Sequence, residues 1–145
     1  MSDMNDFELM VKEILETTNT IASVGVSSNM KKESYWIVAY LMEQGYMVFP
    51  VNPTTDEVLG EKAYTSLSEI PEKVDVVQVF RKPEDVPPVV EEAIKIGAKV
   101  VWMQEGIVNE EAAQMAREAG LQVVMDTCMR AAHSWLKIGP KPIQL

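Results

Sequence analysis

Residues 20–34 read TIASVGVSSNMKKES, and this stretch decides the fold. It begins with an apolar run typical of a buried strand, passes through Gly25 and two serines, and reaches two lysines before a helical pattern starts at Ser34. Small residues let the backbone approach an anion closely, and the free N–H groups and dipole of a helix N-terminus favour negative charge. The stretch therefore predicts a phosphate-binding strand–loop–helix unit, with an ordinary connection as the plain alternative.

Short apolar runs and helical patterns alternate along the rest of the chain. Further strands are predicted at residues 46–51, 74–80, 98–103 and 121–125, and helices at 34–45, 83–96, 109–119 and 127–138. Residues 1–18 are expected to hold an N-terminal helix capped by Asp3 or Asn5, and residues 139–145 an irregular tail. Residues 54–68 are expected to form a loop, with residues 57–60 as a candidate single turn. This alternation predicts an α/β, Rossmann-like doubly wound sheet of five mainly parallel strands, with helices on both faces, in a single domain of residues 1–145.

Composition narrows the classes of partner. The 145 residues carry a net charge of −9, which argues against nucleic acid, because binding to a phosphate backbone needs a basic face. No apolar run approaches the roughly 18 residues of a membrane helix, and the N-terminus lacks a signal-peptide layout, so no membrane partner is expected. Cys128 is the one cysteine and leaves no disulfide to form within the chain, which favours a cytoplasmic location.

Four loops are expected at the edge of the sheet where ligands bind, outside the carboxyl ends of the strands. They contain GVSSNMKK, NPTT, RKP and QEG, after the first, second, third and fourth predicted strands. The glycine pattern G-x-G-x-x-G of NAD-binding proteins is absent, and Asn52 stands where those proteins place an acidic residue. Lys31 and Lys32 follow no Walker loop. The loops favour a ligand with several phosphates over NAD or a hydrolysed ATP.

Six segments of the chain resemble those of small single-domain CoA-binding proteins. They are GVSSNMKKES, YMVFPVNP, VLGEKAYTSLSEIP, VDVVQVFRKPEDVP, GAKVVWMQEGIVNEEAA and MDTCMRAAH, in that order over roughly residues 15–135. The family is similar to the N-terminal CoA-binding domain of the succinyl-CoA synthetase alpha subunit. The resemblance implies a protein that binds coenzyme A or an acyl-CoA without evident catalytic machinery. The alternatives are a component of an acyl-CoA ligase or transferase system and, by fold analogy alone, an NAD(P)-linked oxidoreductase.

The resemblance also implies which residues bind coenzyme A. They are Gly25, Val26, Ser27, Ser28, Lys32 and Ser34 in the phosphate loop, Asn52 and Pro53 beside the adenosine, Phe80, Arg81, Lys82 and Pro83 after the third strand, and Gln104 and Gly106 after the fourth. Two loop positions differ from the usual residues of the family, with Met30 in place of proline and Lys32 in place of arginine. Lysine neutralises a phosphate as a point charge but lacks the bidentate fork of arginine.

Cys128 and His133 are the remaining candidates for chemistry. Their spacing of five residues places them poorly on one helix face, so a Cys–His nucleophile pair requires Cys128 to precede the helix. A thiol that exchanges with the CoA thiol or senses redox state is a second alternative, and a plain buried cysteine is the favoured interpretation. Thr127 and Ala132 replace the arginine and glutamate that the family often has there. We therefore predict no catalytic residue, a structural His133, and no metal site.

Overall fold

Strands and helices alternate through residues 3–142, which are the residues described in the computed structural model. The elements are α1 (Asp6–Thr17), β1 (Thr20–Val24), α2 (Glu33–Glu43), β2 (Met47–Val51), β3 (Glu57–Val58), β4 (Glu61–Lys62), β5 (Val76–Val79), α3 (Val86–Lys95), β6 (Val100–Met103), α4 (Glu110–Glu118), β7 (Gln122–Val124) and α5 (Met129–Trp135). Short 3-10 turns occupy Leu67–Glu69 and Pro83–Asp85. Over residues 3–142, no helix combines the length and the apolar character needed to cross a membrane.

Five strands form one parallel sheet in the order β2-β1-β5-β6-β7. In the central part of the sheet, Ala22 of β1 lies opposite Phe49 of β2 on one side and Val77 of β5 on the other. The chain leaves β1 toward β2 and later returns to the opposite side at β5, so the topological switch point lies between β1 and β5. The predicted doubly wound, Rossmann-like sheet is confirmed.

Helices cover both faces of the sheet, as predicted. One core combines the apolar sides of α1, α2 and α5 with Ile21, Val76 and Trp102 from the strands. The other combines α3 and α4 with Ala22 and Val77, which point to the opposite face because side chains alternate along a strand. Strands with both faces covered carry continuous apolar runs, which explains why these runs were visible in the sequence.

The structure corrects the expectation of a loop over residues 54–68 with a candidate single turn at residues 57–60. β3 and β4 form a small antiparallel hairpin there, closed by Leu59 and Gly60 at φ 54° and 78°. Positive φ at both central positions is the geometry of a tight hairpin turn. Two-residue strands carry no alternating apolar pattern, so sequence periodicity could not identify them.

Several predicted boundaries also move. The N-cap of α1 is Asn5, whose side chain accepts the N–H of Glu8 in a reciprocal capping box. The helix predicted from Pro83 begins as a 3-10 turn and becomes α-helical at Val86, and the last helix is shorter than residues 127–138. Of the predicted tail, residues 139–142 hold no helix or strand, and residues 143–145 lie outside the described part.

β2 lies at one edge of the sheet and is partly covered. Pro50 has no N–H to offer, and its carbonyl accepts the N–H of Tyr64 at 2.9 Å. The next residue whose backbone faces the same way, Asn52, donates its N–H to the carbonyl of Tyr64 at 2.8 Å. The segment after the hairpin therefore occupies the carboxyl half of this edge.

Candidate functional site

The loop after β1 lies against the end of β5 at Gly25. Its φ is +91°, and a Cβ at this position would lie 2.5 Å from the carbonyl oxygen of Phe80, which is closer than real Cβ contacts. Backbone hydrogen bonds hold the loop on both sides, from Gly25 N to Val51 O at 2.9 Å and from Phe80 N to Val24 O at 2.8 Å. Glycine is required here both for the left-handed backbone and for the close approach at the switch point.

Side chains of the loop itself fix its course toward α2. The hydroxyl of Ser34 accepts the N–H of Ser27 at 3.0 Å, and the hydroxyl of Ser27 accepts the N–H of Asn29 at 3.0 Å. Ser28 and Lys32 are exposed, and Lys32 is the N-cap of α2 without a side-chain capping bond. The loop therefore presents a lysine and a serine to solvent beside the free N–H groups of a helix start.

Asn52 joins the loop after β2 to the loop after β1. Its Nδ2 donates to the carbonyl of Val26 at 2.9 Å, while its Oδ1 accepts from the N–H and the hydroxyl of Thr54 at 2.9 and 2.7 Å. Val26 is fully buried, and Pro53 is exposed next to Asn52. Asn52 thus holds two of the predicted loops together through both ends of its amide.

A crevice of about 280 Å³ opens at the carboxyl ends of β5 and β6, beside the start of α2. Its lining consists of Glu33, Ser34, Ile37, Phe80, Arg81, Gln104, Glu105, Ile107 and Cys128. Four of the residues predicted from the sequence, Ser34, Phe80, Arg81 and Gln104, therefore surround one cavity. The other ten predicted residues lie on the loops around it without lining it.

A chain of buried amides fixes the wall of the crevice. The hydroxyl of Ser23 donates to Gln78 Oε1 at 2.6 Å, and Gln78 Nε2 donates to Gln104 Oε1 at 3.0 Å. Gln104 Oε1 also accepts the backbone N–H of Met129 at 3.1 Å. A backbone N–H can only donate, so the orientation of Gln104 is determined. Gln104 is 3% exposed, and its Nε2 has no partner among the described residues, which leaves two N–H donors at the crevice wall.

The comparison with known proteins now decides the family. Residues 19–134 match the family described as CoA binding domain. The chain belongs to this family. The resemblance identified from six segments of the sequence is therefore confirmed.

Two relatives match this CoA-binding domain over almost their whole length. Uncharacterized protein YneT of Bacillus subtilis is 44% identical over 133 residues, which are 92% of this chain and 98% of that protein. A hypothetical protein from Pyrococcus horikoshii OT3 has a TM-score of 0.88 at 42% identity, covering 94% of this chain and 99% of that one.

A third relative is much longer. The alpha subunit of ADP-forming acetate–CoA ligase II from Pyrococcus furiosus is 32% identical over 120 residues. The match covers 75% of this chain but only 26% of the ligase subunit. The CoA-binding domain is therefore related to acyl-CoA ligase subunits, while it spans about a quarter of their length.

Five residues that line the crevice were missed by sequence reasoning. They are Glu33, Ile37, Glu105, Ile107 and Cys128. Ile37 follows Glu33 by four residues on α2, so helical spacing from the predicted loop was an available signal for both. Glu105 and Ile107 flank predicted positions in the QEG segment. Cys128 was considered in the sequence as a candidate thiol but not as part of the coenzyme A site, because its place in the crevice depends on how α5 packs.

The remaining predicted residues lie on the rim. Lys82 and Pro83 are exposed, and the carbonyl of Pro83 accepts from the side chain of Asn109 at 2.8 Å. The N–H of Gly106 donates to Asp126 Oδ1 at 2.6 Å. The first bond ties the loop after β5 to the start of α4, and the second ties the loop after β6 to the segment after β7.

Cys128 and His133 lie in different surroundings. Cys128 is half-buried at the N-cap of α5 and lines the crevice. His133 is buried, and its Nδ1 shares a hydrogen bond of 2.8 Å with the hydroxyl of Tyr40. Burial lowers the pKa of His133 below its usual value, which favours the neutral ring. The structure supports a structural role for this histidine.

Proposed function

We propose that this chain binds coenzyme A or an acyl-CoA and holds it without turning it over. The observation that carries the proposal is the glycine-dependent contact between Gly25, in the loop after β1, and Phe80. Because Phe80 also lines the crevice, this contact places the loop directly beside it. Together, the loop and the crevice offer a cationic surface and a narrow cavity, as a ligand with phosphates and a long arm requires. The family match and the relation to ligase subunits support the same ligand.

The charges assign different parts of the ligand to the loop and to the crevice. The crevice lining combines Arg81 with the carboxylates of Glu33 and Glu105, so its net charge does not favour phosphate. Its apolar walls and the free N–H donors of Gln104 suit the uncharged pantetheine arm, whose amide carbonyls accept hydrogen bonds. The phosphates are assigned to the loop after β1, where Lys32 and Ser28 are exposed, with Arg81 at the boundary.

The bonds of Asn52 favour coenzyme A over NAD. An NAD enzyme places a carboxylate at this position to accept from the ribose hydroxyls. Here Asn52 Oδ1 already accepts two hydrogen bonds from Thr54, and Nδ2 donates to Val26. The side chain therefore stabilises the loops and does not supply the ribose acceptor that NAD binding uses.

The direct test is equilibrium binding by calorimetry to ligand-stripped protein. Coenzyme A is expected to bind and to raise the melting temperature. NAD and ATP at equal concentration should give no binding heat and no change in melting temperature. A ligand that binds only the folded state stabilises it by roughly 2.7 kcal/mol at a hundredfold excess over Kd. Tighter binding of NAD than of coenzyme A would overturn the assignment.

Two alanine variants locate the phosphate contacts. Each charge-assisted hydrogen bond to phosphate contributes about 1.5–3 kcal/mol, so Lys32→Ala and Arg81→Ala should each weaken coenzyme A by roughly ten- to a hundredfold. Lys73→Ala is the matched control, because Lys73 is exposed near the amino end of β5, at the end of the sheet opposite the loops that form the site. Dephospho-CoA lacks the ribose phosphate. Of the two variants, the one that loses its preference for coenzyme A over dephospho-CoA identifies the residue that binds this phosphate. Unchanged affinity in both variants would show that the phosphates bind elsewhere.

A component of an acyl-CoA ligase is the second candidate, favoured by the match to the ADP-forming ligase subunit. It predicts that the protein, together with a partner, forms ATP from acetyl-CoA, ADP and phosphate. Binding without turnover predicts an intact thioester in the purified protein after prolonged incubation. The loss of thioester is measured by mass spectrometry, and the formation of ATP by luminescence.

We place coenzyme A binding by this chain in the cytoplasm. Its one cysteine cannot form a disulfide within the chain, which suits a reducing compartment.

A further inference from the structure

A second cavity, of about 510 Å³, lies between α1 and α5 and is called here the acyl groove. Its apolar wall consists of Phe7, Val11, Ala131, Ala132, Trp135 and Leu136. Two other lining residues, Glu105 and Cys128, also line the crevice. The groove therefore adjoins the crevice at the start of α5.

We propose that the acyl groove holds the hydrocarbon chain of an acyl-CoA whose pantetheine arm occupies the crevice. This inference rests on the proposed function and names the substrate class more closely. A cavity of this volume lies within the range of small-molecule sites, roughly 300–1,000 Å³. Because the two cavities meet at Glu105 and Cys128, an arm that leaves the crevice there delivers its thioester to the mouth of the groove.

The walls of the groove carry apolar surface that a bound chain would cover. Phe7 is 48% exposed and Trp135 is 68% exposed, although both rings border a cavity. Large apolar side chains exposed around a concave site mark a binding surface more often than an isolated exposed residue does. Each methylene group buried against them strengthens binding by about fourfold.

Charge around the groove selects the kind of chain. Glu8, Glu105 and Asp126 line it, and no lysine or arginine is among its lining residues within the described part of the chain. A terminal carboxylate on the acyl group would meet these three carboxylates at short range without a cation to balance it. The acyl groove therefore favours uncharged acyl groups over those of dicarboxylic acids.

Three ligands test the proposal with the wild-type protein. Coenzyme A, hexanoyl-CoA and adipoyl-CoA share the same carrier, and the two acyl groups have six carbons but differ in a terminal carboxylate. Calorimetry should give a Kd for hexanoyl-CoA at least tenfold below that for coenzyme A, and a Kd for adipoyl-CoA within about threefold of it. Equal affinities for hexanoyl-CoA and coenzyme A, or tightest binding of adipoyl-CoA, would refute the acyl groove.

Filling the groove provides the matched variant. Ala131 is exposed on α5 and lines the groove, so Ala131→Trp fills space without disturbing a buried core. The preference for hexanoyl-CoA should disappear while the Kd for coenzyme A stays within twofold. Gln114→Trp, on the exposed side of α4 on the opposite face of the sheet, is the control and should retain the preference. A preference that survives Ala131→Trp would contradict the assignment.

Three further outcomes separate the hypotheses. If wild-type protein binds no coenzyme A at all, the proposed function fails. If it binds coenzyme A without preferring hexanoyl-CoA, the acyl groove alone fails. A dimer seen by sedimentation that Ala131→Trp dissociates and that hexanoyl-CoA leaves intact would assign the groove to a second copy of the chain and refute the proposal.

Discussion

Replacing Gly25 with alanine tests the contact on which the phosphate loop depends. Two costs are expected. A left-handed backbone at φ +91° costs an L-residue roughly 1–2 kcal/mol, and a Cβ 2.5 Å from the carbonyl oxygen of Phe80 forces the two loops apart, at about 1–3 kcal/mol more. The total is a loss of about 2–5 kcal/mol of unfolding free energy, measured by urea denaturation followed by circular dichroism.

A second glycine separates these two costs. Gly120 also has φ +91°, but a Cβ there would meet nothing within 4 Å, so Gly120→Ala carries only the backbone cost. Gly25→Ala should be less stable than Gly120→Ala by at least 1 kcal/mol. It should also bind coenzyme A more weakly by tenfold or more, while Gly120→Ala binds like wild type. Equal stabilities and equal affinities in the two variants would refute the close-approach argument.

Three other predictions concern titration and the thiol. Burial raises the pKa of the Asp75 carboxyl, but N–H donation from Asn19 at 2.8 Å and the ammonium of Lys99 at 3.4 Å hold it below its usual value. A depressed folded-state pKa adds stability above the unfolded pKa of about 3.9 that is lost as pH falls through the folded pKa, so Asp75→Asn should cost about 1–2 kcal/mol in urea unfolding at pH 7 and progressively less below pH 3.9. A loss that stays the same size as the pH falls would contradict this. Burial lowers the pKa of His133, so the unfolding free energy of the wild-type protein should fall as the pH drops from 7 to 5. His133→Phe should remove this pH dependence. A pH dependence that persists in the variant would implicate another group. Cys128 lines the crevice, but serine is close to it in size, so Cys128→Ser should keep its coenzyme A affinity under reducing conditions. A tenfold loss would show that the sulfur itself contributes to binding.

The main sheet was predictable because its strands are buried on both faces. Runs such as AKVVWM and VDVVQVF are nearly continuous in apolar residues, and glycine or proline marks the nearby turns. The hairpin of β3 and β4 was not predictable in the same way. Its strands have two residues each, and only Val58 among the four is buried, so they are too short to show a period.

The candidate site was predicted where it depends on local sequence and missed where it depends on packing. Loops that follow strands of a parallel sheet must meet at one edge, so Ser34, Arg81 and Gln104 could be brought together from topology alone. The acyl groove joins α1 to α5, which are more than 100 residues apart in the sequence. Likewise, the bond between Gln78 and Gln104 pairs two polar residues inside apolar strands, and neither segment predicts the other.

The covered edge at β2 has a consequence for how the chain behaves at high concentration. Parallel sheets end in rows of unpaired N–H and C=O groups that can recruit a strand from another molecule. Along β2, which lies wholly within the described residues, backbone groups face outward at alternate positions, so Val48, Pro50 and then Asn52 point away from β1. Pro50 has no proton to give and Asn52 is bonded to Tyr64, which leaves Val48 as the outward donor on the strand. A second chain therefore finds no ladder of donors here, and this edge resists fibre formation.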